Sequence, residues 1–234
     1  MKTTGFVKEQ PWLRGVSRAL PIVMGYIPIG FAYGVLAQKA GLSVWQTLAM
    51  SVFVYAGSSQ FIAVGLFSAG ISPLSIIITT FIVNLRHMLM SAALSPNLKG
   101  WSKAELAVFA YELTDESFGV HTMSFKAGNP AKGEIFALNI TAQTAWVLGS
   151  WLGCTMGGLI SDVRPYGLDY ALAAMFIALL VLAISDRIQV AVAVTAGVLS
   201  LVFLLAGLDQ WHVILATVIG ATIGVVVEEC SKTR

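Results

Sequence analysis

From Ala40 to Leu85 the chain carries no charged side chain. A membrane-crossing helix needs about 20 mostly apolar residues, so this stretch is too long for one helix. It holds its own divider, Ser68-Ala69-Gly70-Ile71-Ser72-Pro73, which has the chemistry of a turn. The rest of the chain follows suit: 11% of its 234 residues are charged and 57% are hydrophobic. An ordinary soluble domain carries roughly 25% charged residues, and one of this size cannot hide so much apolar surface. Disordered, collagen-like and disulfide-scaffold chains are excluded on the same grounds.

The fold class that remains is all-α, a polytopic membrane helix bundle of seven or eight transmembrane helices, some broken or kinked. The expected spans are Ala19 to Gln38, Val44 to Phe67, Ser72 to Pro96, Lys103 to Thr122, Ile135 to Ile160, Tyr170 to Ser185, Ile188 to Leu208 and Gln210 to Val227. Residues 1–18 read as a basic cytoplasmic segment, 19–227 as a single transmembrane domain and 228–234 as a short tail. The first 18 residues lack the compact apolar stretch and cleavage site of a removable signal peptide. With eight spans, nine Lys or Arg fall on the N-terminal side and Lys39, Lys99, Lys103 and Arg164 on the other. That bias places both termini in the cytoplasm of a multi-pass membrane protein.

Groups that are costly in lipid mark function better than apolar stripes do. The first span contains Pro28-Ile29-Gly30-Phe31-Ala32-Tyr33-Gly34, where Pro28 removes a backbone donor and predicts a kink or interruption. Close packing against a neighbouring helix explains the same small residues. The second span holds Tyr55-Ala56-Gly57-Ser58-Ser59-Gln60, a poor lipid-facing surface. A broken helix there offers free amides and hydroxyls to a substrate carboxylate, whereas a tight helix crossing uses the Ser and Gln as glue.

The third span carries Asn84-Leu85-Arg86-His87 at its middle. Arg at a helix centre costs about 3 kcal/mol, and the Val, Leu, Ile and Phe residues from Leu74 to Leu94 return roughly 4 to 5. The span inserts, but Arg86 needs a partner. On a regular helix Thr80, Asn84, His87 and Ser91 share one face and Arg86 points away from it. In the fourth segment Glu112, Asp115 and Glu116 sit at i, i+3 and i+4, so they share a face. They either lie in water on a surface helix or face Arg86 inside the bundle, where Asp115, then Glu116, is the best proton carrier.

No metal site, phosphate-binding loop, dinucleotide fingerprint or nucleophile elbow is present in the sequence, and no basic run suggests nucleic acid. No cofactor is called for, and work must come from a gradient or another subunit. Cys154 reads as a small buried hydrophobe.

The four motifs at Pro28–Gly34, Tyr55–Gln60, Asn84–His87 and Asp115–Glu116 occur in the order seen in the AzlC family, also called YgaZ or LIV-E, which the chain resembles over most of its length. The resemblance implies a non-enzymatic exporter of valine, leucine, isoleucine and perhaps methionine, working by proton antiport with a small AzlD-type membrane subunit. It suits a substrate site in which Gly57, Ser58, Ser59, Gln60 and Asn84 supply polar contacts and Phe31, Tyr33 and Tyr55 line the side-chain pocket. Arg86, His87, Asp115 and Glu116 take proton-coupling or gating roles. Two other classes compete: an intramembrane hydrolase using Ser58 and His87, and a non-transporting assembly subunit.

Overall fold

The computed structural model describes residues 10–160, 162–170, 173–174, 177, 180–181, 184, 186–208 and 212–232. The described structure is helical, and it divides into one unit over residues 1–175 and a second over 176–234. The expected span Tyr170 to Ser185 and both chain termini fall largely outside the described residues.

In the first unit, α1 (Pro11–Lys39) and α7 (Lys132–Met156) form the central pair. They run in the same direction, because Gly15 meets Glu134, Gly30 meets Trp146 to Ser150, and Gly34 meets Ser150 to Cys154. The contact is backbone on backbone. A Cβ on Gly153 sits 2.0 Å from the Phe31 carbonyl oxygen, and one on Gly149 sits 2.6 Å from that of Ile27. Gly30 and Gly34 on α1, with Gly149 and Gly153 on α7 and Gly157 just past its end, form the small-xxx-small seam that lets membrane helices approach closely. α1 is one continuous helix with Pro21 and Pro28 inside it. The expected interruption at Pro28 is absent, and the small residues there serve the packing role.

The expected second and fourth spans are corrected. Residues 44–68 form α2 (Val44–Ala49), a π turn (Met50–Val54) and α3 (Gly57–Ser68). A continuous helix puts residues 51 and 60 about 13 Å apart. Yet Gln60 Nε2 donates to Ser51 Oγ at 3.1 Å. Contacts along α7 give the direction: Thr47 meets Cys154, Ser51 meets Ser150, and Val52 meets Gln143. Beyond the tip the chain climbs back, with Phe61 packed on Tyr33. The segment is a hairpin that leaves on the side it entered.

Residues 103–127 repeat the device from the opposite side, as α5 (Lys103–Tyr111) and α6 (Asp115–Ala127). Phe109 and His121 have ring centroids 5.3 Å apart, against about 18 Å along a continuous helix. α5 starts at the foot of α7, where Lys132 Nζ lies 2.6 Å from Glu105 Oε1, and reaches Gln143 through Tyr111. α6 returns: His121 lies on Asn139, and Ser124 accepts from Arg18. Each half-helix spans only about 14 to 20 Å, short of the roughly 30 Å hydrocarbon core. α4 (Pro73–Leu94, extended by a 3₁₀ turn to Leu98) passes between the hairpins and ends among Phe109, Leu113 and Ile135.

In the second unit α8 (Arg187–Leu205) and α9 (His212–Lys232) pack antiparallel, Gly220 against Ala196 and Gly224 against Val192. Three described helical stretches are long and apolar enough to cross a membrane: Pro11–Lys39, Pro73–Leu98 and Arg187–Leu205. α7 is 25 residues long, about 37 Å, and lies along α1.

Two outcomes are expected. In a Cys230→Ser background, cysteines placed at Ala69 and Lys99 react with an impermeant maleimide from opposite faces. The hairpins put Ala69 on the face of Lys39 and Lys99 on the face of Arg14; straight spans reverse both, and labelling intact cells against everted vesicles reads the difference. Gly153→Ala lowers thermal stability in detergent by about 1–3 kcal/mol through overpacking, while Gly65→Ala, with open space around it, leaves it unchanged or raised.

Candidate functional site

The two hairpin tips meet at membrane depth. At the first, Tyr55 adopts a left-handed backbone with φ 40°, the one described non-glycine residue to do so. Such a conformation persists only where the surroundings enforce it. It ends the π turn and lets α3 restart at Gly57. The first amides of any helix lack intrahelical partners. Ala56, the residue that caps α3, has no side-chain oxygen to satisfy them. The Trp146 ring covers Gly57, with Cη2 at 3.0 Å from a Cβ placed there.

At the second tip Thr114 caps α6. Its Oγ1 accepts from the Ser117 amide, and Ser117 Oγ accepts from the Thr114 amide at 2.9 Å. Asp115 and Glu116 occupy the first turn, where the helix dipole favours negative charge. The tips are therefore complementary, one rich in unsatisfied donors and one carrying two carboxylates.

Arg86 of α4 joins them. Its Nη2 donates to Ser58 Oγ and lies 3.0 Å from Asp115 Oδ2. Its Nε is buried with no hydrogen-bond partner. Tyr26 of α1 donates to Glu116 Oε2 at 2.6 Å and lies 2.7 Å from Thr114 Oγ1. A second bridge closes the tips behind the first: Tyr111 donates to the Val52 carbonyl, and Gln143 Nε2 donates to the Tyr111 hydroxyl at 2.9 Å.

These groups enclose a cavity of about 20 Å³, room for roughly one water. Among the expected site residues, the structure brings Tyr55, Gly57, Ser58, Arg86, His87, Asp115 and Glu116 to its wall. Ser59 donates to Asn84 Oδ1 just behind it. Gln60 is a fully buried bridge between Ser51 and Trp146, and Tyr33 stacks on Trp146 with its hydroxyl on Met50 Sδ, so both belong to the packing around the site. Phe31 lies along the α1–α7 seam rather than in the cavity.

Two expectations about faces fail. Arg86 does not turn away from the Asn84 side: the first turn of α3 abuts α4, and the long guanidinium stem swings around to Ser58 while Asn84 holds Ser59. Glu112 does not share a face with Asp115 and Glu116, because the helix breaks between Tyr111 and Asp115. Tyr26, Thr114 and Trp146 also line the cavity and were missed. Thr114-x-x-Ser117 is a cap signal in the sequence; Tyr26 and Trp146 sit in apolar runs and carry none.

Chemically, the site matches a small zwitterion. Free amides and a guanidinium suit a carboxylate, and Asp115 with Glu116 suits an ammonium. It does not match a serine nucleophile. Ser58 Oγ accepts from Arg86, a permanent cation, and among the described residues no hydrogen bond links Ser58 to His87, whereas a nucleophile needs a base on its proton.

The model of the AzlC protein family matches residues 21–160, which include the whole cavity and end where the first unit's last long helix ends. An uncharacterized membrane protein of Archaeoglobus fulgidus is 35% identical over 217 residues, 91% of this chain and 94% of its own. The inner membrane protein YgaZ of Escherichia coli is 31% identical over 219 residues, 91% and 87% of the two chains. The branched-chain amino acid transport protein AzlC of Bacillus subtilis is 27% identical over 163 residues, 69% and 63% of the two chains. No solved structure matches.

The Arg86–Asp115 pair is open to a double-mutant cycle. Removing one partner of a largely desolvated pair strands the other charge, whereas removing both does not. Both side chains are about a quarter exposed, which discounts the penalty. Arg86→Met and Asp115→Leu each lower thermal stability by about 1–3 kcal/mol, and the double variant loses less than the sum.

Proposed function

The chain belongs to the AzlC family, and from that premise we propose that it is a membrane transporter subunit exporting branched-chain amino acids by proton antiport. The substrates are valine, leucine, isoleucine and methionine, and a small AzlD-type membrane subunit is the partner. The single observation that carries this reading is Arg86, bonded at once to the donor-rich tip of one hairpin and the carboxylate of the other.

A zwitterionic amino acid replaces that bond on both sides. Its carboxylate takes Arg86 and the first amides of α3, and its ammonium takes Asp115 or Glu116. Substrate and latch are then mutually exclusive, so binding itself parts the tips. The cavity supports this, since about 20 Å³ is far too small for a leucine and the hairpins must separate to admit one. Because they enter from opposite faces, parting one and then the other exposes the site to each side in turn, as in transporters built on broken helices. A proton taken by Asp115 or Glu116 in place of the ammonium supplies the coupling.

Orientation follows from charge. With the hairpins returning to their own sides, among the described residues of the first unit Arg14, Arg18, Lys99, Lys103, Lys126 and Lys132 gather on the N-terminal face, and Lys39 and Arg164 lie opposite. This bias is stronger than that of straight spans. It supports a cytoplasmic N-terminus in a multi-pass protein of the inner membrane.

The test is valine efflux from preloaded cells. Asp115→Asn abolishes it while leaving membrane abundance unchanged. Efflux at the unsubstituted rate from that variant removes the carboxylate from the mechanism and this reading with it.

A further inference from the structure

Between the cavity and the N-terminal face lies a second polar cluster that the substrate site does not use. Glu112 is 5% exposed at the end of α5, Asn139 and His121 are 0% and 1% exposed, and Glu134 is 4% exposed near the foot of α7. His121 Nε2 and Asn139 Oδ1 are 2.7 Å apart, so the imidazole donates and the Asn139 amide NH₂ is left over. Glu112 lies against that amide and within electrostatic reach of Tyr55 on the cavity wall. Glu112 Oε2 and Asn139 Nδ2 stand side by side, a buried acceptor facing a buried donor, with no other partner for either.

Below this pair, Arg18 reaches Glu134 at 2.5 Å and Ser124 at 2.9 Å, and Arg14 Nε lies 3.6 Å from Glu134. Both arginines are more than two-fifths exposed, so this ion pair opens to the N-terminal face. From the level of Trp146 to that of Glu134 is about 18 Å along α7, and Glu112, Asn139 and His121 lie within that interval. The other half of the site differs. There Ser51, Gln60, Ser150 and Trp146 form a network of neutral side chains, hydrogen-bonded to one another, and Cys154 Sγ donates to Thr47 Oγ1 farther along.

We propose that Glu112 and His121, held in one frame by Asn139, form a proton-carrying station that connects the cavity carboxylates to the N-terminal face. The proposal rests on the antiport reading and adds the path and its direction. A proton leaves the carboxyl group of Glu116 or Asp115 for the Glu112 carboxylate. From there it passes to His121, whose imidazole takes it on one nitrogen and yields it toward the aqueous mouth at Arg18 and Glu134. No bond other than O–H and N–H is made or broken. The groups facing Glu112 and His121 are Tyr55 from the first hairpin, Asn139 from α7, and the Arg18–Glu134 pair of α1 and α7. Asp115 is the shared binding group; Glu112 lies outside the substrate contacts.

The experiment uses the full chain in proteoliposomes with radiolabelled valine and an internal pH dye. Two fluxes are read: valine–valine exchange, which needs no net proton movement, and valine accumulation driven by an imposed pH gradient. Glu112→Gln and His121→Gln retain exchange within twofold and lose gradient-driven accumulation and valine-linked proton movement at least tenfold. Glu112→Asp restores both in part. Asp115→Asn loses exchange and accumulation alike. Full gradient-driven accumulation in Glu112→Gln overturns the station and leaves the transporter reading intact. So does parallel loss of exchange and accumulation in Glu112→Gln, which assigns the residue to folding or binding. Absence of valine flux in the unsubstituted protein, reconstituted both alone and with the small partner subunit, overturns both.

Discussion

A helix that ends at membrane depth leaves amides and carbonyls that lipid cannot satisfy, each costing several kcal/mol. Both hairpins of this chain end there, so much of the surrounding structure consists of answers to that constraint. The Val52 carbonyl at the close of the π turn accepts from Tyr111 of the opposite hairpin and from Gln143 of α7. The start of α6 is closed by the Thr114–Ser117 box. The start of α3, where Ala56 offers no cap, is approached by Arg86 through Ser58. The first tip thus takes partners from α4, α7 and the opposite hairpin, while its α3 amides stay free, and the shared bonds make the hairpins interdependent.

That arrangement needs a rigid frame, and the glycine seam provides it. In lipid, apolar side chains gain little by leaving one apolar phase for another, so helix pairs are held by close contact and hydrogen bonds. Glycines at 30, 34, 149, 153 and 157 bring the α1 and α7 backbones together over much of their length. Fixing that pair fixes Tyr26 and Trp146, whose rings meet at 5.3 Å beside the tips. The same pair sets the register in which Ser51 meets Ser150 and His121 meets Asn139. A displacement along the seam therefore moves the packing on both sides of the cavity together.

The sequence announces the class of fold and one of the two breaks. Tyr55–Gln60 is too polar and too rich in small residues for a lipid-facing helix, and the helix does stop there. The second break escapes notice because Glu112, Asp115 and Glu116 fit helical spacing as well as Leu106, Phe109 and Leu113 do, so periodicity argues for continuity. The fold-back of both segments is less legible still. Hydropathy records apolar length but no direction, and two hairpins leave α7 with the same sense as two full crossings. Only the charge bias separates the two topologies, through Lys99 and Lys103, which sit on the minority face when the segments are drawn straight. The cavity follows the same rule. Its charged members stand out from the sequence, while Tyr26 and Trp146 become neighbours through a seam of glycines rather than through any motif.

Sharing one guanidinium between the two tips also bears on leakage. For the antiport we propose, the protein must never open to both sides at once, yet its two hairpins enter from opposite faces and are short enough to move separately. When Asp115 lets go, Arg86 still holds Ser58; when α3 withdraws, Arg86 still holds Asp115. A state with both tips withdrawn strands the cation at membrane depth unless a substrate carboxylate is present. Leaving this quarter-exposed charge without its partner costs about 1–3 kcal/mol after solvent screening, a penalty of roughly 5- to 150-fold. The doubly open state is thereby suppressed by the same group that the proposed site offers to a substrate carboxylate. A lysine in place of Arg86 offers a point charge rather than a planar fork of donors. It can pair with Asp115, but it holds Ser58 and a carboxylate together less well, so recognition and closure weaken through one substitution.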